Sequence, residues 1–137
     1  MTPASHQFAL VVESNDRLRV KLADALVSRG YVVHDAESAE AAAGLTLEVT
    51  FSVIVVGASQ LAQAGAAVRA LLRNEGVRRA VVFREAAMGG DVEGLAPGVV
   101  VEVGPKEDHA ARLRMLVPLA DATAALERKR KTDKHKS

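Results

Sequence analysis

Five short apolar runs punctuate the chain, and each of the spaces between them carries helical spacing or turn residues. The first run, Phe8-Ala9-Leu10-Val11-Val12, has no polar alternation, so it is expected to be a strand buried on both faces. Tyr31-Val32-Val33 predicts a short second strand, with His34-Asp35 at its exit. The third run, Ser52-Val53-Ile54-Val55-Val56-Gly57, is the centre of the pattern. It holds four consecutive β-branched residues and stops at a glycine. Ala80-Val81-Val82-Phe83 and Val99-Val100-Val101-Glu102-Val103 predict strands four and five, the last ending in Gly104-Pro105.

Between the strands the period changes. The cluster Glu13-Ser14-Asn15-Asp16 supplies N-cap candidates for a helix with Leu18, Leu22, Ala25 and Leu26 on one face, closed at Arg29-Gly30. Ser38 is placed to cap a weak, alanine-rich helix from Ala39 to about Leu47, weakened by Gly44. Ala62 to Asn74 predicts a third helix, closed by Gly76. From Arg84 to Gly98 the glycines and Pro97 leave room for about two turns near Asp91 to Leu95, or none. A last helix is expected from Glu107 or Asp108, with Leu113, Leu116, Leu119, Ala120 and Ala124 apolar. Pro118 must kink it or start it afresh.

Strands alternating with helices predict an α/β fold with a doubly wound parallel sheet. Five strands in this length point to the flavodoxin-like order 2-1-3-4-5, with helices on both faces and helix four short or absent. Right-handed crossovers would then gather the carboxyl ends of strands one, three, four and five around one crevice, where a ligand or reacting group belongs in such sheets.

Composition narrows the function. At 137 residues, with 49% hydrophobic and 26% charged residues, the chain predicts one ordinary globular domain. Aromatics make up only 3%, so Val, Leu and Ala must build the core. The absence of cysteine excludes disulfides, thiolate metal sites and cysteine nucleophiles, and suits a cytoplasmic protein. No signal peptide is evident in residues 1–7, and no apolar run approaches the roughly 20 residues that span a bilayer. The four histidines, His6, His34, His109 and His135, share no motif, so no metal centre is expected. The glycines from Gly89 to Gly94 lack the lysine of a phosphate loop, and Gly57 to Leu61 is not a nucleophile elbow.

The net charge of +1 hides an asymmetry. The last ten residues hold Arg128, Lys129, Arg130, Lys131, Lys134 and Lys136 against Asp133 alone, leaving a body of 12 basic and 16 acidic residues. The expected organisation is a disordered N-terminus over residues 1–7, a domain over 8–127 and a basic tail or linker over 128–137.

The order and spacing resemble the receiver domain of response regulators, the CheY-like family, from about Phe8 to Ala125. The resemblance rests on the "VVES" turn after strand one, "SRGYVVHDAES" across helix one and strand two, the third strand, and Gly65, eight residues after Gly57. Gly104-Pro105 falls where that family has Lys-Pro. The resemblance implies a phospho-acceptor aspartate after strand three, an acidic pair holding Mg²⁺ after strand one, a hydroxyl after strand four and a lysine after strand five. This chain has Gly57 at the acceptor position, Glu13-Ser14 at the acidic pair, Arg84 at the hydroxyl and Gly104 at the lysine. Four of five positions have changed, and glycine offers nothing to phosphorylate. A degenerate receiver, not an enzyme and without a cofactor, is the expectation. Glu13 has two roles open to it: a remnant acidic ligand, or a cap or ion-pair partner. Arg84 is expected either to reach across the crevice to Glu13 or to lie solvated in a loop. Asp35 and Glu37 are expected to be turn and cap residues.

The leading functional expectation is a phosphorylation-independent protein-interaction module in bacterial signal transduction, cytoplasmic by its composition. The resemblance implies a partner or dimer surface on helix four, strand five and helix five, with Arg112, Leu116, Leu119 and Leu126 as candidates. For Leu113 and Leu116 a core role is the competing expectation. A second expectation is association with nucleic acid or the nucleoid through the basic tail, where no aromatic residue sits for base stacking. A third is small-molecule sensing in the vacated crevice.

Overall fold

A computed structural model describes residues 7–58, 67–73, 76–84 and 99–120. Its elements are β1 (Phe8–Val12), α1 (Asp16–Ser28), β2 (Val32–Ala36), α2 (Ala39–Thr46) and β3 (Val53–Val56), then β4 (Arg79–Arg84), β5 (Val99–Val103) and a helix at Lys106–Leu116. Residues 67–72 are also helical and are called α3, which makes the helix at Lys106–Leu116 α4.

All strand pairs are parallel, in the order β2-β1-β3-β4-β5 expected from the sequence. The apolar runs of β1 and β3 lie inside the sheet because each needs cover on both faces. Alternate residues divide the core in two. Leu10, Val12, Ile54, Val56 and Val82 face Ala39 and Ala42 of α2 and Val68, Leu71 and Leu72 of α3. Ala9, Val11, Val55, Val81 and Phe83 face Leu18, Leu22 and Leu26 of α1 and Leu113 of α4. Burying one such aliphatic side chain contributes about 1.5–3 kcal/mol, so these two layers set the position of every strand end.

Helix boundaries follow local chemistry. Asn15 caps α1, its side chain accepting from the Leu18 N–H at 3.0 Å, and Gly30 closes the helix at φ +93°. Ser38 caps α2 by accepting from the Ala41 N–H at 3.1 Å.

Four expectations are corrected. The second strand starts after Tyr31 and runs through His34 and Asp35 to Ala36, because all five of its residues pair with β1. Asp35 is therefore a strand residue and not a turn residue. Arg84 is the last residue of β4, in register with Val103, and not part of a loop. The last helix begins at Lys106 and stops at Leu116, where Val117 turns extended, as the residue before a proline is driven to do. Leu119 thus follows the helix instead of continuing its face. The expected N-terminal helical residues from Ala62, the region 85–98 that would hold helix four, Gly65, Leu126 and the tail lie outside the described residues.

Candidate functional site: the carboxyl ends of the sheet

Backbone hydrogen bonds tie the strand ends together at the expected crevice. The Glu13 N–H donates to Ala36 O at 3.0 Å and the Gly57 N–H to Val12 O at 2.8 Å. On the other side the Gly104 N–H donates to Arg84 O at 2.9 Å. Glu13, Gly57, Arg84 and Gly104 are therefore held at one end of four adjacent strands, and Ser14 follows directly on Glu13.

Glu13 is the most informative of them. It is 1% exposed. Its Oε2 accepts from the Asn15 N–H at 2.7 Å and from the Ser14 hydroxyl at 3.3 Å. Ser14 itself is exposed and turns its hydroxyl back toward the carboxylate. The α1 cap belongs to Asn15, so Glu13 organises the turn before the helix instead of capping it.

The Glu13 side chain extends over Gly57. A Cβ placed at residue 57 would lie 2.6 Å from Glu13 Cδ and 2.9 Å from Glu13 Cβ, and closer still to Oε1. Contacts this short are forbidden by sterics, so residue 57 tolerates no side chain while Glu13 keeps this seat. The space that an acceptor side chain would need is filled by a neighbouring carboxylate. Gly104 differs: a Cβ there would meet nothing within 4 Å.

Arg84 is 8% exposed, a buried cation at the same end of the sheet as the Glu13 carboxylate. A Mg²⁺ ion, which the receiver pattern would place here, requires several oxygen ligands around it. Among the described residues at these strand ends, Glu13 supplies a carboxylate already held by the Asn15 N–H, Gly57 supplies none, and Arg84 brings positive charge. This donor set does not fit the ion. Among the described residues no group of three His, Asp or Glu side chains is arranged to hold a metal.

Sequence reasoning overlooked two groups beside the site. Arg19 clamps α1 onto the strand ends: it donates to Glu13 O at 3.0 Å and Asp16 Oδ1 at 2.6 Å, and its Nε lies 3.5 Å from Asp35 Oδ2. The hydrogen bond with Asp16 raises the Arg19 pKa above its ordinary value, against desolvation, and the charges of Asp16, Asp35 and Glu37 add to the rise. His109 is fully buried, stacked on Phe83 with ring centroids 4.4 Å apart, and its Nε2 lies 2.9 Å from Gly104 O. The i+5 spacing from Gly104 was visible, but nothing local marked His109 as a core residue.

Of the proposed interaction residues, Arg112 and Leu116 lie one turn apart on α4, and Leu119 follows the end of that helix. Arg112 pairs with Glu102 Oε1 of β5 at 2.9 Å. Leu116 packs against the core formed with α1. Leu119 is exposed, past the end of α4. Met115, 77% exposed, is the large apolar side chain that α4 presents outward.

Neither a protein-family model nor a curated protein matches the chain in sequence. Solved structures do match in shape. The signal receiver domain of a signal transduction histidine kinase from Syntrophus aciditrophicus is 17% identical, with a TM-score of 0.57 over 80% of this chain and 90% of that one. A CheY-like response regulator receiver domain from Methylobacillus flagellatus is 15% identical, with a TM-score of 0.58 over 82% and 99%. The receiver domain of a sensor histidine kinase from Pseudomonas aeruginosa PAO1, solved with a magnesium ion coordinated in its active-site cleft, is 19% identical, with a TM-score of 0.58 over 81% and 97%. At these identities the likeness is one of architecture, and the chain has the CheY-like fold of response-regulator receiver domains.

Proposed function

We propose that this chain is a degenerate receiver: a phosphorylation-independent domain that works by binding a protein partner, or a second copy of itself, in bacterial signal transduction. One observation carries the proposal. Glu13 is buried over Gly57, so the place of the acceptor carboxylate is taken by a side chain that belongs to the fold. A switch driven by phosphorylation needs an acceptor that gains charge and a pocket that responds to it. Here the acceptor lacks a side chain and the pocket is filled. What remains usable is surface, and the exposed Val103 and Met115 on β5 and α4 are apolar places for a partner to sit. The fold and the cysteine-free composition are in keeping with a cytoplasmic protein without enzymatic activity, and no described helix is long and apolar enough to cross a membrane.

The test is an amide NMR titration with Mg²⁺, then with Mg²⁺ and beryllofluoride, a mimic of the acyl phosphate. The expected result is no saturable shift at Glu13, Gly57, Arg84 or Gly104. Saturable shifts at those residues would establish a working metal or anion site and overturn the proposal.

A further inference from the structure

Four strands of the sheet start at one cavity. Gln7, Tyr31, Ser52 and Arg78 immediately precede β1, β2, β3 and β4, and all four line a space of about 210 Å³ at the end of the sheet away from the crevice. Val53 and Arg79, the paired first residues of β3 and β4, line it as well. Side chains alternate along a strand, so Arg79 lies on the same face as Val81, the face covered by α1 and α4. Pro118 and Leu119, just past α4, form the remaining wall.

That wall is tied down. The Tyr31 hydroxyl donates to Pro118 O at 3.0 Å, Arg29 Nε donates to Val117 O at 3.1 Å, and the Ala120 N–H donates to Arg29 O at 2.7 Å. Ser52 O accepts from the main-chain N–H groups of Arg78 and Arg79, at 2.8 Å and 3.1 Å, which fixes where the two arginine side chains begin. A cavity framed in this way is preorganised, and a ligand entering it has little chain to order.

Its chemistry is cationic and uncompensated. Among the described residues neither arginine side chain makes a hydrogen bond or an ion pair. No carboxylate is among the described residues that line the cavity. Arg79 is half-buried. A guanidinium keeps its charge at any ordinary pH, and withdrawing it from water is costly until an anion joins it. Its planar fork matches the oxygens of a phosphate, and two forks match the two charges. The rest of the lining, Val53, Pro118, Leu119 and the Tyr31 ring, is largely apolar and suits a compact carbon group. A nucleotide is too large, since sites for drug-sized ligands begin at about 300 Å³.

From this juxtaposition we infer that the amino end of the sheet binds a small phosphomonoester, its phosphate taken by Arg78 and Arg79 and its carbon group lying against Val53, Pro118 and Leu119. This site is opposite the crevice and independent of the degenerate acceptor position.

The test is an amide NMR titration of the full-length protein with phenyl phosphate, inorganic phosphate and phenol at constant ionic strength. Phenyl phosphate should give saturable shifts at Gln7, Tyr31, Ser52, Arg79 and Leu119 and leave Glu13 and Gly57 unmoved. Phenol should give none. Inorganic phosphate should move the same residues but bind about tenfold more weakly, because it forgoes about 60 Å² of apolar contact. Arg78→Gln and Arg79→Gln should each weaken phenyl phosphate binding about tenfold or more, the usual loss for a hydrogen bond to a charged group. Arg79→Lys keeps the charge without the fork and should fall between. Leu119→Ala should weaken phenyl phosphate about threefold and leave inorganic phosphate unchanged. Thermal melts accompany each variant, and Arg78 is exposed, so Arg78→Gln keeps the test valid if Arg79→Gln unfolds. No saturable shift with phenyl phosphate at millimolar concentration would overturn the inference. So would equal affinity for the two phosphates, or undiminished binding by Arg78→Gln. A phosphoserine peptide bound more tightly than phenyl phosphate would assign the surface to a protein partner and overturn it too.

Discussion

Glu13 occupies the volume that a side chain at residue 57 would need, so the glycine and the buried carboxylate depend on each other. Asn15 holds Glu13 by its main-chain N–H, and the seat is buried, so the carboxylate cannot swing aside without losing that bond. Gly57→Ala should therefore destabilise the protein by about 1–3 kcal/mol through overpacking. In Glu13→Ala/Gly57→Ala the two effects should fall short of their sum by about 0.5–3 kcal/mol, the coupling expected of side chains in contact. Urea denaturation of the four proteins in this cycle measures it. Strict additivity would show that Glu13 does not hold residue 57 to glycine.

Gly104 gives the contrasting outcome. Since a Cβ there meets nothing within 4 Å, Gly104→Lys restores the residue type of the receiver pattern at little cost. Its stability should stay within about 0.5 kcal/mol of the unchanged protein, as for surface substitutions that disturb no neighbour. A melting curve suffices to check this. The two glycines thus differ physically: one is required by its neighbour, and the other leaves space.

That difference marks the boundary of what the sequence made legible. The strands of β1 and β3 were readable because uninterrupted apolar runs have no other economical placement, and Asn15 and Ser38 because caps act within three residues. Strand order followed from the alternation of strand and helix. The seat of Glu13 did not, because it depends on how β1 and β3 lie side by side, 44 residues apart at Glu13 and Gly57. Arg84 was misplaced because a charged residue at the end of an apolar run normally marks a loop, whereas pairing with Val103 extends this strand by one residue. His109 was invisible for the same reason as Glu13: its reason for burial is Phe83, on another element.

Arg19 should be sensitive to replacement by lysine. It reaches Glu13 O, Asp16 and Asp35 from one guanidinium, and a lysine ammonium cannot hold all three positions. Asp16 is exposed, so that ion pair is worth little, and most of the loss is the hydrogen bond to Glu13 O. Arg19→Lys is expected to cost about 1 kcal/mol in chemical denaturation. The Arg19 pKa is raised, so its contribution is complete below the unfolded-state value and fades only in strongly alkaline solution. The difference between the two proteins should accordingly be flat between about pH 6 and pH 9, where the carboxylates remain ionised. A difference that grew or vanished within this window would place the effect on another group.

His109 carries the last prediction. Gly104 O can only accept, so the 2.9 Å contact requires the proton on His109 Nε2. Nδ1 is then left with its lone pair inside the core, and it has no hydrogen-bond partner among the described residues. The ring should therefore appear in long-range ¹⁵N–¹H NMR spectra as a single Nε2–H tautomer, with a proton slow to exchange because the residue is fully buried. His109→Phe keeps a flat ring against Phe83 and removes both the bond and the orphaned nitrogen, so its cost should be small, about 1 kcal/mol. His109→Ala removes the ring itself and leaves a void beside Phe83, which should cost about 3 kcal/mol or more. If the proton were found on Nδ1, or if the two substitutions cost the same, the hydrogen bond to Gly104 and the stacking on Phe83 would not be what holds this histidine in the core.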